Sequence, residues 1–194
     1  MTHRERLLSE GTLALYARGF HGTTVDGILE ASCAPKGSFY HHFGSKEAFT
    51  GEVLRRYTTA QMNRLARWSE EPGLSTPRML SGYFRELADD LVESDYQRAC
   101  LVGKLTVELA ASYDTFHERL QSDIAAWKRG IRLLLERGQQ RGDVRADRSA
   151  DALADAVLAL IQGAFVVALA SRESESLDSV SETLEMLISP VEQR

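Results

Sequence analysis

Apolar positions recur along this chain at intervals of three and four, the spacing of one helix face, and no stretch alternates long enough to predict a strand. Leu7, Leu8, Ala14 and Leu15 share a stripe that Arg4, Glu5, Arg6 and Glu10 avoid, which predicts a first helix over Arg4–Arg18. Gly19 is its stop signal and Phe20 a plug for a small core. Val25, Ile28 and Leu29 give a second helix an apolar face. Thr23 and Thr24 are its N-cap candidates, and Thr23 with Asp26 has the shape of a capping box. Ser32, Cys33 and Ala34 leave room only for a turn. Pro35 then opens a third helix from its first turn, where a missing N–H costs nothing. Phe39 and Phe43 are one turn apart and anchor that helix from behind.

Ser45 is placed to cap a fourth helix running through Phe49, Val53, Tyr57, Ala60 and Arg64 to about Trp68, which would join this head to whatever follows. Glu70–Gly73 stops it. The remaining chain predicts helices over about 77–93, 100–112, 114–138, 149–171 and 177–189, with breaks at Ser94–Asp95, Ser112–Tyr113, Arg141–Asp143 and Arg172–Ser176. The fold class is therefore all-α. Ala150–Ala170 is apolar around most of its circumference, and Val180, Leu184, Leu187 and Ile188 form an amphipathic stripe on the last helix. The two helices either complete the core of one chain or associate with a second.

Net charge of −5 argues against a general nucleic-acid coat, but its distribution changes the picture. Residues 1–46 carry five Lys/Arg against four Asp/Glu and four of the five histidines; the rest carries 18 against 24. DNA binding would be local to the N-terminal end. Cys33 and Cys100 lie far apart, and the polar start THRERLLSE begins a helix rather than a secretory signal, so a reduced, cytoplasmic protein is expected. The uncharged stretch Ala156–Ala170 has 15 residues, short of the ~20 that span a bilayer, and reads as a buried helix.

A short helix held from behind by two phenylalanines, showing Lys36, Gly37, Ser38, Tyr40, His41 and His42 on its other faces, suits the DNA major groove. Lys36 and Tyr40 are one turn apart, and Lys36 can donate to guanine O6 and N7. Gly37 permits close approach of backbone to DNA. Ser38, Tyr40 and His42 can donate to phosphates, which fix register. Thr24 and Lys46, each at a helix start, are further phosphate candidates. His41 and His42 diverge by about 100° on a helix and cannot chelate one metal ion together.

The string PKGSFYHHFGSKEAF resembles the recognition-helix signature of the TetR family of bacterial transcriptional regulators. The resemblance implies DNA contact at Lys36, Gly37, Ser38, Tyr40, His41, His42 and Lys46. It also implies a helix-turn-helix domain over 1–46 and an effector-binding and dimerisation domain over 47–194, pairing through its last two helices. The implied partners are an operator duplex and a small-molecule effector, with no cofactor. One departure stands in the turn, where such proteins usually place Gly and this chain has Cys33.

In the body, Cys100, Lys104 and Glu108 are four apart and share a stripe beside Leu101, Leu105 and Leu109. An ammonium beside the thiol would favour the thiolate; otherwise this is a small buried cysteine followed by a surface Lys–Glu pair. The CLVG segment after a basic residue is similar to a NemR/AcuR-like TetR subgroup that responds to electrophiles or acrylate, although the acrylate-type pattern has Asn where Lys104 stands. The expectation is that Cys100 lies at or near an effector pocket, with Tyr83, Phe84, Phe116, Trp127 and Phe165 as further lining candidates or plain core. Two other readings compete. A di-iron helical enzyme wants paired Glu-x-x-His motifs, and Asp114-x-x-His117 is the only approximation. A helical carrier without DNA reading would not need the intact PKGSFYHHF string.

Overall fold

A computed structural model describes residues 1–191. Helices occupy α1 (His3–Gly22), α2 (Val25–Ser32), α3 (Lys36–Phe43), α4 (Lys46–Ser69), α5 (Thr76–Glu93), α6 (Leu101–Leu109), α7 (Asp114–Arg141), α8 (Ala150–Ser171) and α9 (Glu175–Ile188), and no strand occurs among the described residues. Packing forms two units. The first comprises residues 1–59 with 100–123, and the second 60–99 with the described residues from 124 to 191. This grouping differs from a division at 46/47: α4 and α7 each contribute to both units, and α6 belongs with the N-terminal helices. The last three residues of the expected second domain lie outside the described range.

The first unit is organised on aromatic contacts. Phe39 of α3 is fully buried, with ring centroids 5.5 Å from Phe43 and 5.1 Å from Phe49 of α4. Gly11 of α1 faces that cluster, and a Cβ there would strike the Phe49 ring. Leu7, Leu8 and Leu15 of α1, Ile28 and Leu29 of α2, and Val53 and Leu54 of α4 complete this core. Burying each such side chain contributes about 1.5–3 kcal/mol. The cap at Thr2 is a capping box that sequence reading passed over: its Oγ1 accepts from Glu5 N at 3.2 Å, and its own N–H donates to Glu5 Oε2 at 2.9 Å. The α2 cap is Thr24, which accepts from Gly27 N at 3.1 Å. Thr23 instead turns inward and donates to Gly19 O at 2.7 Å, so the expected Thr23–Asp26 box does not form. Pro35 stands one position earlier than expected, as the residue preceding α3, and its carbonyl accepts from Ser38 N at 2.8 Å.

In the second unit, α9 lays Leu177, Leu184 and Ile188 against α5 and α8. Of its expected stripe, Leu184 and Ile188 are buried and Val180 and Leu187 half-buried. Phe84 and Phe165 pair at 5.9 Å, and Gly82 leaves room for the Trp68 ring, whose Nε1 donates to Glu86 Oε2 at 2.6 Å. Helix α8 is long and apolar enough to span a membrane by composition alone. Half of it is core: Leu153, Ala154, Val157, Leu158, Ile161, Ala164, Phe165 and Ala168 are buried. The other half departs from the expectation of a wholly buried helix. Ala152, Ala156, Ala159, Gly163, Val166, Val167 and Ala170 are exposed.

Candidate nucleic-acid interface and effector residues

The turn between α2 and α3 forces Cys33 into the left-handed region (φ 48°, ψ 39°), the conformation for which Gly is the usual choice. Its N–H donates to Glu30 O at 3.2 Å, and the Ala34 N–H donates to Leu29 O at the same distance. The turn delivers α3 with Phe39 inward and Lys36, Gly37, Tyr40, His41 and His42 outward; Tyr40 is 52% exposed, and Ser38 is half-buried. No atom lies within 4 Å of a Cβ built on Gly37, so this side of the helix is open to a partner's backbone. Lys36 Nζ lies 3.3 Å from Asp26 Oδ1 with both groups exposed, a pair weak enough for a phosphate or base to displace. Thr24 is exposed at the α2 N-terminus. Lys46 is half-buried, with its ammonium 4.2 Å above the Phe20 ring, an arrangement that favours the cation electrostatically and fixes its position. The predicted DNA-contacting residues thus lie together on α3 and at the starts of α2 and α4, within one unit.

The predicted effector residues are divided between the two units. Cys100, Lys104 and Phe116 belong to the first unit, and Tyr83, Trp127 and Phe165 to the second. Cys100 is 5% exposed, and its sulfur caps α6 by accepting from Gly103 N at 3.3 Å. Lys104 makes no hydrogen bond or ion pair with Cys100 or Glu108 among the described residues. Its Nζ donates to the carbonyl of Tyr16 on α1. Glu108 is equally remote from the expected Lys–Glu pair: its two oxygens accept from Phe20 N at 2.9 Å and His21 N at 2.7 Å. Phe116 packs its ring on Phe20 at 5.3 Å and on Tyr113 at 6.0 Å.

The second unit contains a signal that side-chain periodicity does not reveal. Gln61 Oε1, Trp127 Nε1 and Gln162 Nε2 are buried without a hydrogen-bond partner among the described residues. A buried polar atom left so costs about 1–3 kcal/mol, which a hydrogen-bonding ligand would recover. Gly130 of α7 approaches Leu65 Cδ2 of α4 to 2.9 Å at its Cβ position, so Trp127, three residues earlier, belongs to the part of α7 packed on α4. A cavity of about 470 Å³ elsewhere in this unit is lined by Gln139, Val144, Arg145, Asp147, Pro190 and Val191, and includes none of the predicted effector residues. No group of three His, Cys, Asp or Glu side chains able to hold a metal ion forms among the described residues, and Asp114-x-x-His117 recruits no further ligand.

A helix-turn-helix head with an exposed reading helix, followed by a helical body, defines a DNA-binding regulator. Residues 7–53 match the profile of bacterial regulatory proteins of the tetR family, and residues 77–184 match the tetracyclin repressor-like C-terminal domain. The chain belongs to the TetR family. It is 33% identical over 175 residues to the HTH-type transcriptional repressor DhaR of Mycobacterium sp. (strain GP1), covering 90% of this chain and 86% of that protein. It is 29% identical to the HTH-type transcriptional repressor NemR of Escherichia coli (strain K12) over 91% of this chain and 88% of NemR. The crystal structure of reduced E. coli NemR superposes with a TM-score of 0.89 at 25% identity, covering 98% of this chain and 99% of that one.

Proposed function

We propose that this regulator is a homodimeric repressor, acting in the cytoplasm, that leaves a palindromic operator when a small-molecule effector binds or when an electrophile modifies Cys100. The observation that carries the reading is α3 itself: Phe39 is buried completely while Lys36, Gly37, Tyr40, His41 and His42 stand outward together. Repression is supported by the relatives DhaR and NemR, both of which are named repressors. Dimerisation is supported by the exposed face of α8. Ala152, Ala156, Ala159, Gly163, Val166 and Ala170 follow at alternating intervals of four and three, and Val166 and Val167 are 65% and 53% exposed. Small residues at that repeat let a second α8 approach closely about a two-fold axis, and Met186 of α9, 69% exposed, would extend the contact. Two heads paired in this way would read two half-sites one helical turn apart.

The effector reading has two supports. Gln61, Trp127 and Gln162 of the second unit offer polar atoms that are unpartnered among the described residues, suited to a compact ligand that both donates and accepts hydrogen bonds. Cys100 offers a buried free thiol at the start of α6. The test is selection of bound fragments from a random duplex pool, with and without a thiol-reactive electrophile. Enrichment of an inverted repeat, lost on treatment of the Cys33→Ser protein and retained on treatment of Cys33→Ser/Cys100→Ser, supports both operator reading and Cys100 sensing. An inverted repeat indifferent to electrophile leaves the repressor and removes Cys100 as sensor. No enriched sequence from folded dimer at moderate salt overturns the proposal.

A further inference from the structure

The regular part of α1 ends at Gly19, whose φ of 68° and ψ of −173° break the helical ladder inside the span His3–Gly22. In an unbroken helix the Phe20 N–H would donate to Tyr16 O and the His21 N–H to Ala17 O. The kink turns those donors away from the preceding turn. Helix α6 supplies the substitutes from two residues one turn apart. Lys104 donates to Tyr16 O, and Glu108 accepts from Phe20 N and His21 N, at 2.9 and 2.7 Å. A Cβ on Gly19 would collide with that carboxylate.

What hangs on this splice is the head's DNA-facing edge. Phe20 is buried and holds the Lys46 ammonium over its ring. Two residues beyond His21, Thr23 closes on Gly19 O, and Thr24 then caps α2. Both phosphate candidates that flank the reading helix therefore depend on backbone that α6 fixes. The other end of α6 is Cys100, whose sulfur accepts from Gly103 N. Cys100 and Glu108 are eight residues apart, about 12 Å along the helix axis, so the short helix spans from thiol to kink.

We propose that α6 is a splint for α1, with Lys104 and Glu108 as positioning residues that replace the hydrogen bonds lost at Gly19 and so set Phe20, Thr24 and Lys46 for DNA contact. The same splint carries a modification at Cys100 to the head, because an adduct too large for the buried cap site shifts α6 and withdraws both partners from the kink. This second part rests on the sensing reading above; the splint itself does not.

The experiment uses full-length Cys33→Ser protein and reads amide hydrogen exchange at Phe20 and His21, operator affinity and its salt dependence. Glu108→Gln is expected to speed exchange at both amides and weaken operator binding about tenfold to a hundredfold, the range for losing hydrogen bonds to a charged group. Lys104→Met is expected to weaken binding while leaving the slope of log affinity against log salt unchanged. A slope reduced by about one unit would mean that Lys104 contacts phosphate directly, and would overturn the positioning role. Unchanged exchange at Phe20 and His21 in folded Glu108→Gln would overturn the splint. N-ethylmaleimide, with its adduct at Cys100 verified by mass, is expected to reproduce the Glu108→Gln exchange pattern and to cost little further affinity in that variant. Affinity losses that add fully, with both amides still protected after alkylation, would overturn α6 as the route while leaving Cys100 as sensor. Faster exchange in Glu108→Gln, alongside operator binding indifferent to the adduct, would support the splint and overturn Cys100 sensing.

Discussion

Each of the two units uses a carboxylate from a distant part of the chain to satisfy backbone N–H groups, and the two sites differ in what surrounds them. In the second unit, Asp143 Oδ2 accepts from Thr76 N and Oδ1 from Thr76 Oγ1, both at 2.9 Å, capping α5 where Ser75 makes no side-chain cap. Apolar packing backs that cap: α5 lies against α9, Leu80 and Leu87 of the one and Leu184 and Ile188 of the other are buried, and Arg85 Nε donates to Ser181 Oγ at 2.8 Å. In the first unit, Glu108 serves a kink rather than a helix start, and its helix is nine residues long. A cap backed by a broad apolar face can open only if that face opens. The joint at the kink is closed by one lysine and one glutamate of a short helix that buries only Leu101, Val102, Leu105 and Leu109, a smaller apolar face to open. The comparison teaches where a regulator can afford movement.

The largest effect should come from the apolar side of the comparison. Leu184→Ala removes a fully buried side chain of α9 and is expected to cost about 2–5 kcal/mol in urea unfolding, through lost transfer energy and the cavity left behind. A cost below 1 kcal/mol would mean that the α5–α9 face is not the firm one.

Acid should test the first unit next. Glu52 is held down to about 2 from an ordinary 4.5, chiefly by the hydrogen bonds from Arg55, with Arg4 of α1 adding to it and burial opposing. Its folded value is depressed, so its contribution is complete above about pH 4.5 and is lost as pH falls through about 2. Glu52→Gln should therefore flatten the loss of stability over that window, as followed by acid titration of the first unit's near-ultraviolet signal.

Gly19→Ala sharpens the comparison at the kink. A non-glycine residue at φ 68° and ψ −173° stands in a region almost confined to glycine and pays about 1–3 kcal/mol, and here the added Cβ also meets the Glu108 carboxylate. Denaturation of Gly19→Ala with and without Glu108→Ala should show non-additive costs; simple addition would separate the kink from α6. The smallest effect is expected at Cys33→Gly, which relieves strain at φ 48° but loosens the unfolded chain, for a net gain of about 0.5 kcal/mol in the same assay.

Much of the head was legible because its determinants are local. One-turn spacing placed Phe39 and Phe43, the turn had to lie at Ser32–Ala34, and the reading helix then followed with Lys36, Tyr40, His41 and His42 outward. The α9 stripe was equally visible, but not its destination: the same Leu184 and Ile188 could have faced a second chain, and they face α5 and α8. The exposed half of α8 was hidden for the same reason, since Ala, Gly and Val suit a core and a close helix pair alike.

By itself, then, the sequence determined the helices, their breaks and the reading head, because periodicity, caps and turn residues act within a few positions of one another. Only the tertiary structure decided the work of Lys104 and Glu108. Their spacing of four fits a surface ion pair as well as it fits three backbone groups of a kinked helix, and Gly19 reads as a helix end whether or not anything meets it there. Which is true depends on contacts 87 and 88 residues apart, and a hydrogen bond to main chain leaves no trace in the identity of the residue that provides it.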